Sequence, residues 1–237
     1  MIHPTAILNG EIDISDTAII GPYSVLQGKI TIGDETIIGP NVNITGNVTI
    51  GDRCKIHFGS SIGEPAQAWM DNSDFARFSK VTIGNDNVIR EQVTIHGSAK
   101  RNGITSIGCS NKIYVGVHIA HDCRVMNGVT IVNNTMLAGG SQVHDDAYVS
   151  GASMLKPRAR IGRGAMVEAG SQVKADIAPF FIYSAKGMIY KLRNDRLKKT
   201  FDKSEVKKYS QIFLELKMIL QKDKIVILLE HLVHILF

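Results

Sequence analysis

The sequence predicts a mainly β protein, a parallel β-helix of stacked coils followed by a C-terminal α-helical region, and three observations carry that reading. Every sixth residue from Ile2 is aliphatic, through Leu8, Ile14, Ile20, Leu26, Ile32, Ile38, Ile44, Ile50 and Ile56 to Ile62. The period returns at Ile83, Ile89 and Ile95, misses at Arg101, and runs unbroken from Ile107 to Val173. Four residues after each aliphatic the side chain is usually small or β-branched, as at Ala18, Ser24, Thr36, Cys54, Val93, Cys123, Ser141 and Ala165, so each hexad has two inward positions. Aromatics make up only 6% of the 237 residues, with a single Trp, which suits narrow, repetitive β-packing. Hexapeptide repeats are a β-helix signature, in which each coil buries its aliphatics only against its neighbours.

With three hexads per coil, residue i lies over i+18, and about nine coils at roughly 4.8 Å give a prism roughly 40 Å long. Glycine often stands second in the hexad, as in Gly21, Gly33, Gly39, Gly51 and Gly84, where its tolerance of positive φ is expected to turn the corner. Two insertions interrupt the repeat, residues 68–82 with the lone Trp69, and residues 100–105 with Lys100, Arg101 and Gly103. Loops on a rigid scaffold are favoured places for binding residues. From about Asp176 helices are expected to replace the repeat, which divides the chain into a β-helix over 1–178 and a helical region over 179–237. Asp202-Lys203-Ser204-Glu205 reads as a capping box ahead of an apolar stripe at Val206, Tyr209, Ile212, Phe213, Leu216, Ile219 and Leu220. Both prism ends need covering, and the apolar residues 225–237 are expected to pack on the prism or on another subunit, with a membrane-surface helix as the alternative.

Composition narrows the function. Three cysteines, Cys54, Cys109 and Cys123, show neither a CxxC pair nor a zinc spacing, which fits a reducing cytoplasm. No leader-like or bilayer-spanning run is expected, and hence no stable membrane insertion. Residues 156–208 hold 14 Lys/Arg against 5 Asp/Glu, within a net charge of +5 for the chain. Such a stretch is either a solvated face or a dock for an acidic partner or a pyrophosphate. Nucleic acid is not expected, because no aromatic-interleaved basic platform is present.

The residues that could do chemistry lie at His118, His121 and Asp122. His121 is third in its hexad and should project from the prism, with Asp122 beside it to orient the ring and stabilise its cation. One coil on, 121 becomes Gly139, which leaves room for a substrate carbonyl and offers a bare N–H as oxyanion donor, an arrangement suited to acyl transfer. Metal binding by His118 and His121 is the competitor, but no third ligand is evident and no metal is expected. Neither a serine elbow, a P-loop nor a dinucleotide fingerprint is present.

The hexads resemble the left-handed parallel β-helix family; the left hand comes from this resemblance, since the general rule for parallel crossovers gives the right one. More specifically, Ser61-Ile62-Gly63-Glu64, Ile89-Arg90-Glu91-Gln92-Val93-Thr94-Ile95-His96, His118-Ile119-Ala120-His121-Asp122-Cys123, Asn133-Asn134 and Leu137-Ala138-Gly139 resemble the acyl-carrier-protein-dependent UDP-N-acetylglucosamine O-acyltransferase family of lipid A synthesis. The resemblance implies His121 as general base toward the sugar 3-hydroxyl, Asp122 as its orienting partner and Gly139 as oxyanion donor. It implies His118 and His96 as substrate contacts, Ala169 as the residue that limits acyl length, and a homotrimer with active sites between subunits. Acyl carrier protein and a UDP-sugar are the implied partners, and no cofactor is needed.

Several positions depart from the family pattern. The loop motif Gln-Asp-x-Lys reads Gln67-Ala68-Trp69-Met70, two histidines are replaced by Gly140 and by Lys156 (followed by Pro157), and the phosphate motif is approximated by Asn194, Lys198 and Lys199. The acyl-transfer core is kept while the substrate-recognition groups change. Three functions are compatible with that split: the family's own reaction, a related sugar-nucleotide acyltransferase with another acceptor, or a non-catalytic trimeric homologue.

Overall fold

The computed structural model describes residues 1–67, 80–186 and 189–220. Parallel strands stack 18 residues apart into a β-helix of about nine turns: Ile20 on Ile38, Ile119 on Leu137, Leu137 on Leu155, Val125 on Val143. Three edges result. One follows Ile20, Ile38 and Ile56; a second follows Ile95, Ile119 and Leu137; a third follows Ile50, Ile83 and Ile107. The periodic aliphatics are almost completely buried from Ile20 to Val173.

The second inward position is small because it sits inside a corner, and its hydroxyls replace backbone partners there. Ser24 donates to the Gly39 carbonyl at 2.7 Å and Thr36 to the Gly51 carbonyl at 2.7 Å, while Thr36 Oγ1 also accepts the Cys54 N–H at 3.0 Å. Such pairing lets the core hold polar atoms without an unsatisfied-group penalty.

The corners differ from the expectation. Positive φ falls on the fourth residue of the hexad, as at Glu35 (55°), Arg53 (53°), Asp122 (60°) and Asp146 (58°), whereas Gly21, Gly33 and Gly39 lie outside that region. The second-position glycines are needed for close stacking instead: a Cβ at Gly21 would lie 2.7 Å from the Gly39 carbonyl carbon.

Both insertions are also redrawn. Ile50 pairs with Ile83, 33 positions on, and Lys80–Ile83 is already strand, so 80–82 do not belong to the first loop. Residues 68–79, with Trp69, lie outside the described residues. Ile83 pairs with Ile107, 24 positions on, and Val81 pairs with Thr105, so six residues are inserted between Ile95 and Ile104. Thr105 is therefore an inward-facing, fully buried strand residue.

Stacking does not stop at Asp176. Ile161 bridges Ile177, Phe181–Tyr183 adds a parallel rung to Met166–Val167, and Ile189–Leu192 returns antiparallel. Only then come α1 (Asn194–Thr200) and α2 (Lys203–Leu220). Asp202 Oδ1 caps α2 by accepting the Ser204 and Glu205 N–H groups at 2.7 and 3.0 Å. The Phe180 ring meets Phe201 and Tyr209 at 5.3 and 5.6 Å, and Phe181 meets Phe213 at 5.7 Å, so Tyr209 and Phe213 of the α2 stripe close this end of the prism. Residues 225–237 lie outside the described residues, among which no helix is long and apolar enough to cross a membrane.

Candidate active site

The second edge concentrates the chemistry. Thr94–His96 pairs with His118–Ile119, which pairs with Met136–Leu137, so the outward side chains of Thr94 and His118 and the corner residues His121 and Gly139 share one strip of the prism. Thr94 Oγ1 and His118 Nδ1 are 2.7 Å apart, and the His118 ring meets His96 edge-on at 4.9 Å. His96 is buried, with no hydrogen-bond partner for its Nδ1 among the described residues.

His121 Nδ1 lies 2.8 Å from Asp122 Oδ2. Its side chain stays 28% exposed against 13% for Asp122, so the imidazole reaches solvent while its partner is sheltered. The other carboxylate oxygen accepts a hydrogen bond from Ser98 Oγ, and the Asp122 N–H donates to Thr105 Oγ1 at 2.9 Å. Burial opposes the Asp122 charge, but the Ser98 and His121 hydrogen bonds and the Lys100 charge outweigh it, holding the carboxyl below its ordinary value. An ionised Asp122 accepts from Nδ1–H, which leaves the His121 Nε2 lone pair free. Burial, reinforced by the neighbouring imidazoles, pushes His96 and His118 below the ordinary histidine value, so both favour the neutral form.

Gly139 stands one coil above His121, as the i+18 register requires. At the third edge the corresponding N–H groups are occupied by side chains of the next coil: Asp34 donates to Asp52 Oδ1 at 2.9 Å, Cys109 to Asn127 Oδ1 at 2.8 Å, and Asn127 to Asp145 Oδ1 at 2.9 Å. Above Gly139 the residue is Pro157, whose side chain accepts nothing. The Gly139 N–H accordingly has no backbone hydrogen-bond acceptor among the described residues.

The remaining expected residues distribute unevenly. Gly140 shares the corner, its N–H donating to the His121 carbonyl at 2.9 Å, and a Cβ there would meet Arg158 Cγ at 3.3 Å. Lys156 is exposed on the next coil, where its N–H donates to the Val173 carbonyl at 3.0 Å. Gln67 is exposed at the end of the described segment before residue 68. Ala169 follows Val167 on the first edge, a different edge from His121, and Asn194, Lys198 and Lys199 lie exposed on α1. One chain therefore assembles His96, His118, His121, Asp122 and Gly139, but not Ala169 or the α1 residues beside them. No three His, Cys, Asp or Glu side chains among the described residues converge as metal ligands. Sequence reasoning missed Ser98, Thr105 and Arg158: the six-residue insertion hides Ser98 from the hexad period, the loop expected over 100–105 took in Thr105, and i+18 stacking alone places Arg158 over Gly140.

Comparison with known proteins agrees with this architecture. The bacterial transferase hexapeptide (six repeats) family matches residues 11–46 and 29–64. The acyl-[acyl-carrier-protein]–UDP-N-acetylglucosamine O-acyltransferase of Aliivibrio fischeri is 45% identical over 180 residues, 76% of this chain and 68% of that protein. That of Paracoccus denitrificans is 43% identical over 103 residues, 43% of this chain and 40% of that protein, so the chain spans less than half the length of this relative. Among solved structures, the UDP-N-acetylglucosamine acyltransferase of Francisella novicida superposes with a TM-score of 0.85 at 31% identity, covering 94% of this chain and 87% of that one. The Campylobacter jejuni enzyme gives 0.82 at 28%, covering 95% and 92%. With the hexad prism and these relatives in agreement, the chain belongs to the acyl-[acyl-carrier-protein]–UDP-N-acetylglucosamine O-acyltransferase family.

Proposed function

We propose that the chain transfers an acyl group from an acyl-carrier-protein thioester to the 3-hydroxyl of UDP-N-acetylglucosamine, the first step of lipid A biosynthesis, with His121 as general base. The observation that carries this reading is the partly exposed His121 ring held by a sheltered Asp122 directly below the unpaired Gly139 N–H. His121 Nε2 takes the proton as the hydroxyl attacks the thioester carbonyl. The Gly139 N–H meets the oxyanion of the tetrahedral intermediate, and collapse expels the thiolate, which regains the proton from His121. Neutral His118 and His96 flank the corner as contacts for the sugar nucleotide, His118 with its Nδ1 already held by Thr94.

Ala169 and the α1 residues reach this site from a neighbouring subunit of a homotrimer, since one chain carries them away from the His121 edge. The strand stack, which continues past residue 178 through Tyr183, then carries the base, and the helical region after it carries the Asn194, Lys198 and Lys199 phosphate contacts. Closed three-fold symmetry would give the apolar residues 225–237 a subunit surface to pack on, and a cytoplasmic location would bring the enzyme to its acyl carrier protein.

A second reading has its own observation. Of the two histidines in the family pattern, one is replaced by exposed Lys156 and the other by Gly140, against which Arg158 of the same coil as Lys156 lies, so cations are gained where ring nitrogens are lost. That substitution favours a more acidic acceptor. Turnover with acyl-carrier-protein thioesters of graded length against a panel of UDP-sugars, alongside sedimentation at micromolar concentration, tests both. Acylation of UDP-N-acetylglucosamine by a trimer supports the first reading, preference for an acidic sugar nucleotide the second, and nucleotide binding without turnover on any pair removes the enzymatic reading.

A further inference from the structure

The six-residue insertion before Ile104 has no part in the prism core, yet with the strand that follows it two hydroxyls meet on one aspartate. Ser98 is 2% exposed, and its Oγ accepts the Lys100 N–H at 3.0 Å while donating to Asp122 Oδ1. Glycine is required at 103 for this fit, because a Cβ there would lie 2.0 Å from Ser98 Oγ. Thr105, in the strand that follows the insertion, accepts the Asp122 N–H at 2.9 Å and so fixes the backbone of a residue held at a φ of 60°. The carboxylate of Asp122 is thus pinned from the insertion and its backbone from the strand that follows.

We infer that Ser98 is a positioning residue for acyl transfer: the insertion acts as a clamp that turns the second oxygen of Asp122 toward His121 and sets how strongly that imidazole is held as a base. The inference rests on the reading of His121 as general base. A carboxylate with one oxygen already satisfied cannot rotate away from Nδ1 without breaking a buried hydrogen bond, and hydrogen bonds to charged groups are the costly ones to lose. The remaining groups that face the pair are His96 and His118 on the adjacent face and Lys100 on the clamp itself. Arg158 stands one coil higher against Gly140.

The test uses full-length protein labelled with ¹⁵N-histidine, the His121 resonance being identified by its loss in His121→Ala. Ser98→Ala, Ser98→Thr and the near-isosteric but weakly donating Ser98→Cys are compared for the His121 tautomer, its titration midpoint, kcat and KM. Ser98→Ala should mix the tautomers, displace the midpoint and lower kcat on the order of tenfold with KM unchanged. Ser98→Thr should restore all three, and Ser98→Cys should fall between, which keeps the test open if the alanine variant does not fold. An unchanged His121 titration and tautomer in Ser98→Ala and Ser98→Cys overturns the inference, as does equal loss of kcat in Ser98→Thr. Full turnover by His121→Ala would instead remove the general-base reading, and the spectroscopic comparison would still decide whether Ser98 sets the state of the ring.

Discussion

Gly139 leaves the space that His121 occupies: a Cβ on Gly139 would lie 2.5 Å from the imidazole Cε1 and 2.6 Å from Nε2. Neither distance is one that real Cβ atoms tolerate, and the ring cannot withdraw without surrendering its 2.8 Å hydrogen bond to Asp122. Gly139→Ala should therefore displace the base and crowd the oxyanion donor together. A loss of about 10²–10³ in kcat is expected, in a protein that still assembles. Steady-state kinetics with a sedimentation control checks it, and a variant of ordinary activity would contradict the proposed geometry.

His121→Ala should lower kcat by roughly 10²–10⁴, the usual contribution of a positioned general base. Retention of full kcat with any donor the protein uses would rule out the mechanism.

Asp122 should leave a trace in stability as well as in rate. Its carboxyl is held below the ordinary value in the folded chain, so the stabilisation is present above the unfolded carboxylate range of about 4 and is lost as pH falls through the lower folded value. Chemical denaturation of wild type and Asp122→Asn between about pH 6 and pH 3 should show the wild-type advantage shrinking toward the acid end. Parallel curves at all pH values would mean that Asp122 is not held ionised by the clamp.

Thiol reactivity should separate the three cysteines. Burial pushes the Cys123 thiol up to about 12 and raises Cys54, whereas Cys109 is partly exposed. Alkylation of the folded protein near pH 8 should modify Cys109 alone, since the thiolate is the nucleophile. Mass mapping that found Cys123 modified at a comparable rate would show that the corner opens.

Ala169 and the exchanged histidine positions bear on specificity. Ala169→Gly should lengthen the preferred acyl chain modestly, because a buried methylene is worth only about 0.8 kcal/mol. An unchanged chain-length profile would remove Ala169 from the acyl groove. Turnover of UDP-N-acetylglucosamine should be weak in the wild type and rise in Gly140→His combined with Lys156→His, since a site built on particular hydrogen bonds discriminates through them. Wild-type turnover that these changes only diminish would argue that Lys156 and Arg158 already serve this acceptor.

Periodicity alone determined a large part of this protein. A strict hexad of aliphatics can bury itself only by stacking at 18 residues, so the prism, the two inward positions and the placement of Gly139 over His121 were legible from spacing, and the Asp202 cap and α2 stripe from local chemistry. Tertiary structure decided what a period cannot encode. It moved the left-handed residue to the fourth position, because close stacking of carbonyls at Gly21 and Gly39, and not backbone φ, is what glycine relieves there. It carried the β stack through Tyr183, where the aromatic rung at Phe181 is covered by the helix that packs on it. It brought Ser98 and Thr105 onto Asp122, since an insertion of six residues preserves the register of the later coils, leaving Thr105 in its strand one coil below Asp122 while Ser98 folds back from the insertion onto a residue 24 positions on. And it set Ala169 on a different prism edge from His121 and Lys198 on a helix beyond the last strand, so neither adjoins the His121 corner through the stacking register of one chain.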